Sequence, residues 1–280
     1  MCNGIINSVN NKKALSLNKS LNGEKTVSAI VPFYNEEKTL ATVVTTLLNN
    51  SLIGEVICIN DGSTDKSLET LKSFGNKVRV VSVNPNRGKG NALSQGIKAA
   101  RGEIVAFFDA DLLNLSDAYI SMLLKPILME DARAVLGYPS SDSKLPELIA
   151  GYSGERAYYR KDLMPHVKKM SKTGFGVEVY LNRNFGNTTL KIPLKGLAGP
   201  YKHQKYSSTF AFKEYMGEAR EITVELAKTR MIKAEDYKIV KNFNKIRTIK
   251  EFRNSIKNIN DSILKEALEK YVLKYLQAEE

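Results

Sequence analysis

The stretch VSAIVPFYNEEKTLATVVTTLLNNSLIGEVICIN, residues 27–60, holds the pattern that decides the fold. Two short runs rich in β-branched residues flank a longer segment whose apolar residues recur at helical spacing. The same alternation continues downstream, with strands predicted at 78–83 and 103–111 and helices at 64–74 and 90–100. Apolar strands that alternate with amphipathic helices are typical of a mostly parallel sheet with helices on both faces. The sequence therefore predicts an α/β fold.

The alternation is less regular after Asp111, although most segments still have a preferred structure. The pattern predicts further strands at 133–138 and 188–194, and helices at 116–130, at 174–183 and from about 208 onward. Residues 1–25 are polar and have no period, so they are predicted to be a loose leader.

The composition of the 280 residues is that of an ordinary globular protein, with 42% hydrophobic and 26% charged residues. No window approaches the roughly 18 to 20 apolar residues that a membrane-spanning helix needs, and no secretory signal is expected. The two cysteines, Cys2 and Cys58, are too few for a disulfide framework, and Cys58 is predicted to be a small buried residue. We therefore expect a reducing, cytoplasmic compartment.

The formal net charge of +12 favours an anionic partner. The excess is uneven, since residues 156–172 carry six Lys or Arg against one Asp and residues 232–257 carry eight against three acidic residues. Two interpretations stay open for both segments: a surface for an anionic ligand, and an ordinary solvated helix face.

Polar clusters follow the ends of the predicted strands in the first half of the chain. They lie at Tyr34–Glu36, Asn60–Asp61, Asn84–Lys89 and Asp109–Asp111. Ligands of open parallel sheets bind beyond the carboxyl ends of the strands. The coincidence of four clusters with four strand ends predicts a ligand site at this edge of the sheet.

Asp109 and Asp111 stand two residues apart at the end of the fourth predicted strand. At that spacing both carboxylates point to one side, so both can face one ion. Hard carboxylate oxygens suit Mg²⁺ or Mn²⁺, ions that typically also bind substrate phosphates. A pair of solvated loop aspartates is the alternative, and the position at the strand end favours the metal site.

The segment DGSTD (61–65) follows the second predicted strand. Ser63 or Thr64 is predicted to cap the next helix, and Asn35 to cap the first helix in the same way. Asp61 precedes the cap and lies at the ligand edge, where its carboxylate can accept a hydrogen bond from a nucleobase.

The segment RGKGN (87–91) precedes the third predicted helix. Its glycines let the backbone approach a phosphate, while the helix N-terminus and Lys89 supply positive charge. The two common nucleotide-binding fingerprints are absent, so an ordinary turn stays open as the alternative.

Taken in order, the motifs VPFYNEE (31–37), INDGSTD (59–65), NRGKGNAL (86–93) and ARGEIVAFFDADL (100–112) resemble those of family-2 glycosyltransferases. The resemblance implies the GT-A fold and a nucleoside-diphosphate sugar donor. It further implies that Lys89 approaches the donor diphosphate, and that Asp109 and Asp111 hold the metal with Ala110 beside the donor. The residues that it places around the nucleoside are Pro32, Tyr34, Glu36 and Asp61. Asn60 departs from the pattern, because many members have an aspartate there.

The second half of the chain resembles a narrower branch of that family, the glucosyl-3-phosphoglycerate synthases and their soluble relatives. The resemblance rests on the segments YSGERAYYRKDL (152–163), GFGVEVYL (174–181) and KHQK (202–205). It implies that Gly154, Glu155 and Glu178 line the acceptor side and that His203 completes the metal shell. Glu178 also stands among apolar residues, where a carboxylate is either paired or functional.

The basic residues of the same region suit an anionic acceptor, with a solvated helix face as the alternative. They are Arg156, Arg160, Lys168 and Lys169. The predicted organisation is a leader (1–25), a GT-A domain (26–220) and a helical C-terminal tail (221–280). Within the domain, residues 26–130 form the donor half and residues 131–220 the acceptor half.

The expected activity is metal-dependent sugar transfer to an acceptor hydroxyl or phosphate, with a UDP-sugar favoured and a GDP-sugar as the alternative donor. Lys89 and Asp111 are expected to stabilise the leaving diphosphate, and Glu178 is the candidate general base if the sugar configuration is inverted. A retaining reaction needs no such base, and the sequence leaves both open. The acceptor is expected to be a small anion such as phosphoglycerate, or alternatively a polyprenyl phosphate.

Two other classes of protein are alternatives to a glycosyltransferase. A nucleotidyltransferase would carry a glycine-rich, Arg-containing loop after the first strand, where this chain has Pro-Phe-Tyr-Asn-Glu. A non-catalytic protein could instead bind an anionic partner through the basic tail. That tail is amphipathic, which suits peripheral contact with the inner membrane face or a homodimer, and nucleic acid is not expected.

Overall fold

The structure, a computed structural model, describes residues 26–140, 153–197, 223 and 232–269. The predicted leader (1–25) and His203 lie outside the described residues. Within the described ranges seven strands form one sheet in the order β3-β2-β1-β4-β6-β5-β7. The strands are β1 (Val27–Phe33), β2 (Glu55–Asn60), β3 (Val78–Ser82), β4 (Ile104–Phe107), β5 (Ala134–Ser140), β6 (Arg156–Tyr159) and β7 (Thr189–Lys195).

The helices of the domain fill the connections between these strands. They are α1 (Leu40–Asn49), α2 (Ser67–Lys72), α3 (Lys89–Ala99), α4 (Asp117–Leu128), α5 (Arg160–Leu163), α6 (Val167–Met170) and α7 (Val177–Phe185). The described part of the tail adds α8 (Ala234–Lys241), α9 (Ile249–Lys257) and α10 (Ser262–Leu268). The predicted α/β fold is confirmed, with a mostly parallel sheet, flanking helices and a helical C-terminal extension.

One strand of the sheet runs against its neighbours. β1, β2, β3 and β4 pair in parallel, whereas β6 is antiparallel to both β4 and β5. Phe107 at the end of β4 therefore pairs with Arg156 at the start of β6. As a result, the residues that precede β6 lie at the same edge of the sheet as the residues that follow β4.

Two apolar layers cover the faces of the sheet, as the period of a buried strand requires. Ala29 and Val31 of β1 pack in the layer that contains α1 and α4, while Ile30 packs in the layer that contains α3, α6 and α7. All seven residues of β1 are buried, so this strand lies at the centre of the core.

The turn residues of the first half differ from the prediction. Asn35 does not cap the first helix, which begins at Leu40. Its φ of 57° is left-handed, and its side-chain oxygen accepts the backbone N–H of Thr64 at 2.8 Å. The prediction was wrong because the side chain of Asn35 caps a neighbouring turn, across 29 residues of sequence, instead of its own helix.

The cap of the second helix also differs. The N-cap residue of α2 is Lys66, which makes no side-chain cap hydrogen bond, so the cap predicted for Ser63 or Thr64 does not form. Asp65, one residue earlier, accepts the backbone N–H of Ser67 at 2.9 Å. The hydroxyl of Ser63 instead accepts the backbone N–H of Asn35 at 3.0 Å. These hydrogen bonds join the loop after β1 to the loop after β2, and a local sequence pattern does not predict such contacts between distant residues.

The described part of the tail forms a small helical cluster. Phe243 and Phe252 meet edge to face with ring centroids 5.1 Å apart, and both side chains are buried. Asp236 of α8 is fully buried and accepts the backbone N–H groups of Asn260 at 2.8 Å and Asp261 at 2.6 Å. Across the described ranges, no helix combines the length and the apolar character that crossing a membrane requires.

Candidate active site

Side chains from three of the predicted motifs meet at the carboxyl edge of the sheet, with Lys89 between the other two. This residue is the first of α3, and its ammonium nitrogen lies 2.6 Å from Asp109 Oδ1 and 2.8 Å from Glu178 Oε1. Burial disfavours the charge, yet the two carboxylates hold the pKa of Lys89 well above its usual range. The structure therefore joins three residues that the sequence placed in separate motifs.

A close backbone approach sets the position of Lys89. Gly88 precedes the helix with a φ of 84°, and a Cβ atom there would lie 2.9 Å from the Cα of Gly174. A side chain at position 88 would thus be strained by its φ and would press on the backbone that leads into α7. The loop of the donor half is in this way seated directly on the segment that carries Glu178.

Asp109 lies against the turn before β6. A Cβ atom added at Gly154 would overlap the carboxylate of Asp109, so a side chain at this position would require that carboxylate to shift. Burial raises the pKa of Asp109; the ammonium of Lys89 opposes this shift, while the charge of Asp111 adds to it.

Glu155 brings a further buried carboxyl group to the same place. Its side chain is 4% exposed, Ser153 donates its hydroxyl to Oε2, and Oε1 has no hydrogen-bond partner. Burial raises the pKa of Glu155 to about 7, and the negative charge of Asp109 adds to the shift. Among the residues that the structure describes here, the carboxylates of Asp109, Glu155 and Glu178 thus outnumber the ammonium of Lys89.

The excess of negative charge at this edge is what a divalent cation would neutralise. Within the described part of the chain, no group of three acidic, His or Cys side chains converges closely enough to hold a metal by itself. Asp109 and Asp111 offer oxygen ligands only, which suits Mg²⁺ or Mn²⁺ completed by phosphate oxygens and water. Burial raises the pKa of Asp109 and the charge of Asp111 adds to the shift, so a bound cation would favour the charged forms of both carboxylates, and the donor set fits such an ion.

Asp61 has a structural role that the sequence did not indicate. Its side chain is 4% exposed and accepts the backbone N–H groups of Arg87 at 3.0 Å and Gly88 at 2.7 Å. Burial raises its pKa, while these two hydrogen bonds lower it. Asp61 thus fixes the loop in front of α3 and holds Lys89 in place through the backbone.

The other residues expected around the nucleoside are at the same edge. Pro32 is buried near the end of β1, opposite Ile59 of β2, and Tyr34 and Glu36 are half-buried in the loop that follows. The backbone N–H of Glu36 donates to the hydroxyl of Ser67 at 2.7 Å. Ala110, between the two aspartates, is 4% exposed.

The prediction that Arg156 contacts an anionic acceptor is wrong. Its side chain is 1% exposed and is among the largest fully buried side chains. Its guanidinium donates to the carbonyl oxygen of Ser153 at 2.9 Å, to the hydroxyl of Tyr158 at 3.1 Å and to Asn182 Oδ1 at 3.0 Å. A charge count along the sequence does not reveal this burial, because β6 turns the side chain inward.

The other basic residues of this region differ in their burial. Arg160 is half-buried and donates to the carbonyl oxygen of Ile97 at 3.0 Å. Lys168 and Lys169 of α6 are exposed. The solvated helix face therefore remains an adequate interpretation of these two lysines.

Comparison with known proteins identifies the domain. Residues 28–160 match the sequence profile of glycosyl transferase family 2. This segment, which contains Lys89 and the two aspartates after β4, therefore resembles a family-2 glycosyltransferase domain.

Two curated relatives match within the same part of the chain. The chain is 36% identical over 114 residues to the glucosyl-3-phosphoglycerate synthase of Mycolicibacterium smegmatis, which is 38% of each protein. It is 38% identical over 101 residues to the dolichyl-phosphate beta-glucosyltransferase of Mus musculus, which is 31% of each. The chain thus spans less than two fifths of the length of these relatives.

Solved structures extend the likeness to the whole fold. Glucosyl-3-phosphoglycerate synthase from Mycobacterium tuberculosis, in complex with Mn²⁺, UDP and glucosyl-3-phosphoglycerate, matches with a TM-score of 0.53 and 24% identity. The match covers 74% of this chain and 82% of that one. At this identity the likeness confirms the fold.

Proposed function

We propose that this protein is a metal-dependent glycosyltransferase that moves a sugar from a nucleoside-diphosphate sugar to a small anionic acceptor such as phosphoglycerate. The observation that carries the proposal is the ammonium of Lys89, held between Asp109 and Glu178 at the carboxyl edge of the sheet. This arrangement puts a cation for the diphosphate, a carboxylate for a metal and a carboxylate of the acceptor half in one site.

On the donor side, Lys89 and the N-terminus of α3 face the diphosphate, where a helix dipole favours negative charge. Asp109 and Asp111 hold Mg²⁺ or Mn²⁺, with His203 as a proposed further ligand. The ion, when bound, neutralises charge on the departing nucleoside diphosphate. Asp61 keeps the loop before α3 in position and also faces the nucleobase.

Three more residues complete the nucleoside pocket in this proposal: Pro32, Tyr34 and Glu36. The donor base is proposed to be uracil, with guanine as the alternative. The M. tuberculosis structures contain UDP or UDP-glucose with Mn²⁺, which supports this choice.

On the acceptor side, Gly154, Glu155 and Glu178 line the site. Glu178 is 7% exposed and pairs with Lys89, which supports a role at the boundary between donor and acceptor. If the configuration is inverted, Glu178 is the general base, and if it is retained, Glu178 orients the acceptor hydroxyl. NMR of the anomeric proton of the product separates the two.

Thermal unfolding with and without UDP and Mn²⁺ tests the donor and metal assignment. A ligand at 100 times its Kd stabilises a protein by about 2.7 kcal/mol, which corresponds to a rise in Tm of roughly 5 °C or more. Asp111→Asn should abolish that rise, whereas Asp131→Asn, at an exposed position before β5 at the opposite edge, should keep it. A wild-type Tm that neither UDP nor GDP raises in the presence of Mn²⁺ would refute the proposal.

A lipid phosphate is the second candidate acceptor, and the likeness to dolichyl-phosphate beta-glucosyltransferase favours it. Product from radiolabelled UDP-glucose is expected in the aqueous phase with 3-phosphoglycerate. Product that instead requires polyprenyl phosphate and partitions into butanol would reassign the acceptor.

The tail and the cellular location belong to the same proposal. We place the protein in the cytoplasm, with the basic segment 232–257 as the region for peripheral contact with the inner membrane face or for a homodimer. Sedimentation with anionic vesicles at low and high salt tests membrane contact, because electrostatic binding weakens as salt screens the charges. Analytical ultracentrifugation of the full chain tests the dimer.

A further inference from the structure

Arg156 occupies an unusual position for a residue beside a charged site. Its side chain is buried, yet it starts the strand that follows Gly154 and Glu155. Its hydrogen bonds include those to the carbonyl oxygen of Ser153, the hydroxyl of Tyr158 and the side-chain oxygen of Asn182. The planar guanidinium can serve several acceptors in fixed directions, which a lysine cannot.

The bond to Asn182 acts on the helix that carries Glu178. Glu178 and Asn182 are four positions apart on α7, so their side chains lie on one face of the helix, one turn apart. Fixing the side chain of Asn182 therefore restricts the rotation of α7 about its axis. The direction in which Glu178 points toward Lys89 depends on that rotation.

The bond to Ser153 acts on the other side of the site. Ser153 leads into Gly154, which lies against the carboxylate of Asp109. Asp109 pairs with Lys89, and Lys89 pairs with Glu178 on α7. The contacts thus form a closed ring from Arg156 through the turn before β6, Asp109, Lys89 and α7 back to Arg156.

We propose that Arg156, acting through Asn182, is a positioning residue that sets the direction of Glu178 relative to the Lys89–Asp109 pair. This inference rests on the proposed function for its kinetic consequence. A ring fixes its members better than an open chain of contacts, because each link is constrained from two sides. Misplacement of a group by about 1 Å can cost on the order of 100-fold in rate.

Asn182→Leu is the decisive variant, since Asn182 is only half-buried and the change keeps Arg156 while removing its acceptor on α7. With UDP-glucose, Mn²⁺ and 3-phosphoglycerate, kcat should fall between about 10-fold and 100-fold. The Kd of UDP with Mn²⁺, measured by calorimetry, should change by less than about 3-fold, because Asp109 and Lys89 still hold each other. Asn182→Asp should restore kcat, because its carboxylate accepts the same hydrogen bond.

Tyr159→Phe is the matched control. It removes one hydrogen bond of the same strand, from the Tyr159 hydroxyl to the carbonyl oxygen of Ile127 at 3.2 Å, on the side away from α7. Its kcat should stay near that of the wild type. Equal losses of kcat in Asn182→Leu and Tyr159→Phe would show a merely structural effect and overturn the proposal.

Amide hydrogen exchange of residues 177–185 separates this inference from the proposed function. Asn182→Leu should speed exchange there, and Tyr159→Phe should not. If the wild type binds no nucleotide and transfers no sugar, the proposed function fails, and with it the kinetic role of Arg156. Unchanged exchange and unchanged kcat in an active Asn182→Leu protein would overturn the positioning role alone.

Discussion

Two buried carboxylates in different regions of the molecule have opposite surroundings. Asp236, in the helical tail, accepts two backbone N–H groups and stabilises the start of α10. Glu155, at the edge of the sheet, has one oxygen without a partner and a negative neighbour in Asp109. The first is what a structural carboxylate requires, and the second is a destabilising arrangement that a ligand would relieve. Burial of a carboxylate therefore does not mark a site, whereas burial without compensation does.

Asp61 shows that a buried carboxylate with compensating hydrogen bonds can also lie at the same edge of the sheet as Glu155. It lies at the ligand edge, but its two backbone hydrogen bonds resemble those of Asp236. Asp61 therefore has a structural role, and contact with the nucleobase is its additional proposed role.

The largest expected effect comes from Gly154→Ala, which adds one methyl group at the edge of the sheet. That group would overlap the carboxylate of Asp109, so this carboxylate, which pairs with Lys89, must shift. We expect transferase activity to fall by roughly 100-fold, because a small misplacement of a catalytic group is costly. Gly186→Ala, where nothing lies within 4 Å of the added group, should keep full activity. Wild-type kinetics in Gly154→Ala would mean that Asp109 is not held as described.

Removal of the charge of Glu155 should stabilise the protein above neutral pH. The native state keeps this proton up to pH about 7, while the unfolded chain releases it near pH 4.5. The native state therefore binds more protons in this window, and the free energy of unfolding falls as the pH rises from 4.5 to about 7. Glu155→Gln should lack this loss and be more stable at pH 8 by on the order of 2 to 3 kcal/mol.

Urea unfolding in EDTA at pH 5 and at pH 8 measures the difference. The two proteins should have similar stability at pH 5, where Glu155 is still protonated in the native state. A destabilised Glu155→Gln at pH 8 would show that the negative charge has a compensating partner.

Removal of the buried carboxylate of Asp236 in the tail should instead lower the free energy of unfolding. Asp236→Ala leaves the backbone N–H groups of Asn260 and Asp261 without their acceptor. We expect a loss of roughly 2 kcal/mol in the stability of the helical cluster. Hydrogen exchange should therefore quicken in residues 234–268, while the affinity for UDP with Mn²⁺ stays unchanged. Increased stability of Asp236→Ala would contradict the contrast with Glu155.

The smallest effect is expected at Cys58, in the strand beneath the active-site edge. Its thiol is fully buried, and burial raises its pKa to about 12. The thiolate is the reactive form, so native Cys2→Ser protein should take up no thiol reagent at pH 8. One equivalent should react after denaturation in urea, and rapid labelling of the native protein would show that β2 opens easily.

Much of the donor half could be predicted from the sequence. Apolar periodicity placed β1 to β4 and the helices between them, because a strand buried on both faces and a one-sided helix leave distinct patterns. The end of β4 is an instructive exception. The fourth strand was predicted to continue to residue 111, whereas it ends at Phe107. The two aspartates therefore lie beyond the last hydrogen bonds between the strands.

The sequence could not indicate contacts between distant segments. Arg156 was counted as a surface cation because a charge in a basic segment is usually exposed, and its burial depends on the antiparallel course of β6. Asn35 looked like a local cap, but its partners come from a loop 29 residues away. Both errors have one cause, since local patterns report which face is apolar and not which element lies opposite.

The sequence by itself determined the layered α/β architecture and the polar clusters at the strand ends, including the two aspartates Asp109 and Asp111. Only the tertiary structure decided that Lys89 joins Asp109 to Glu178, that Gly154 lies against Asp109, and that Glu155 is buried with one oxygen unpaired. The physical reason is that periodicity and strand ends are properties of neighbouring residues. Distances between side chains on separate elements follow from strand order and direction, which fix which loops meet at one edge of the sheet.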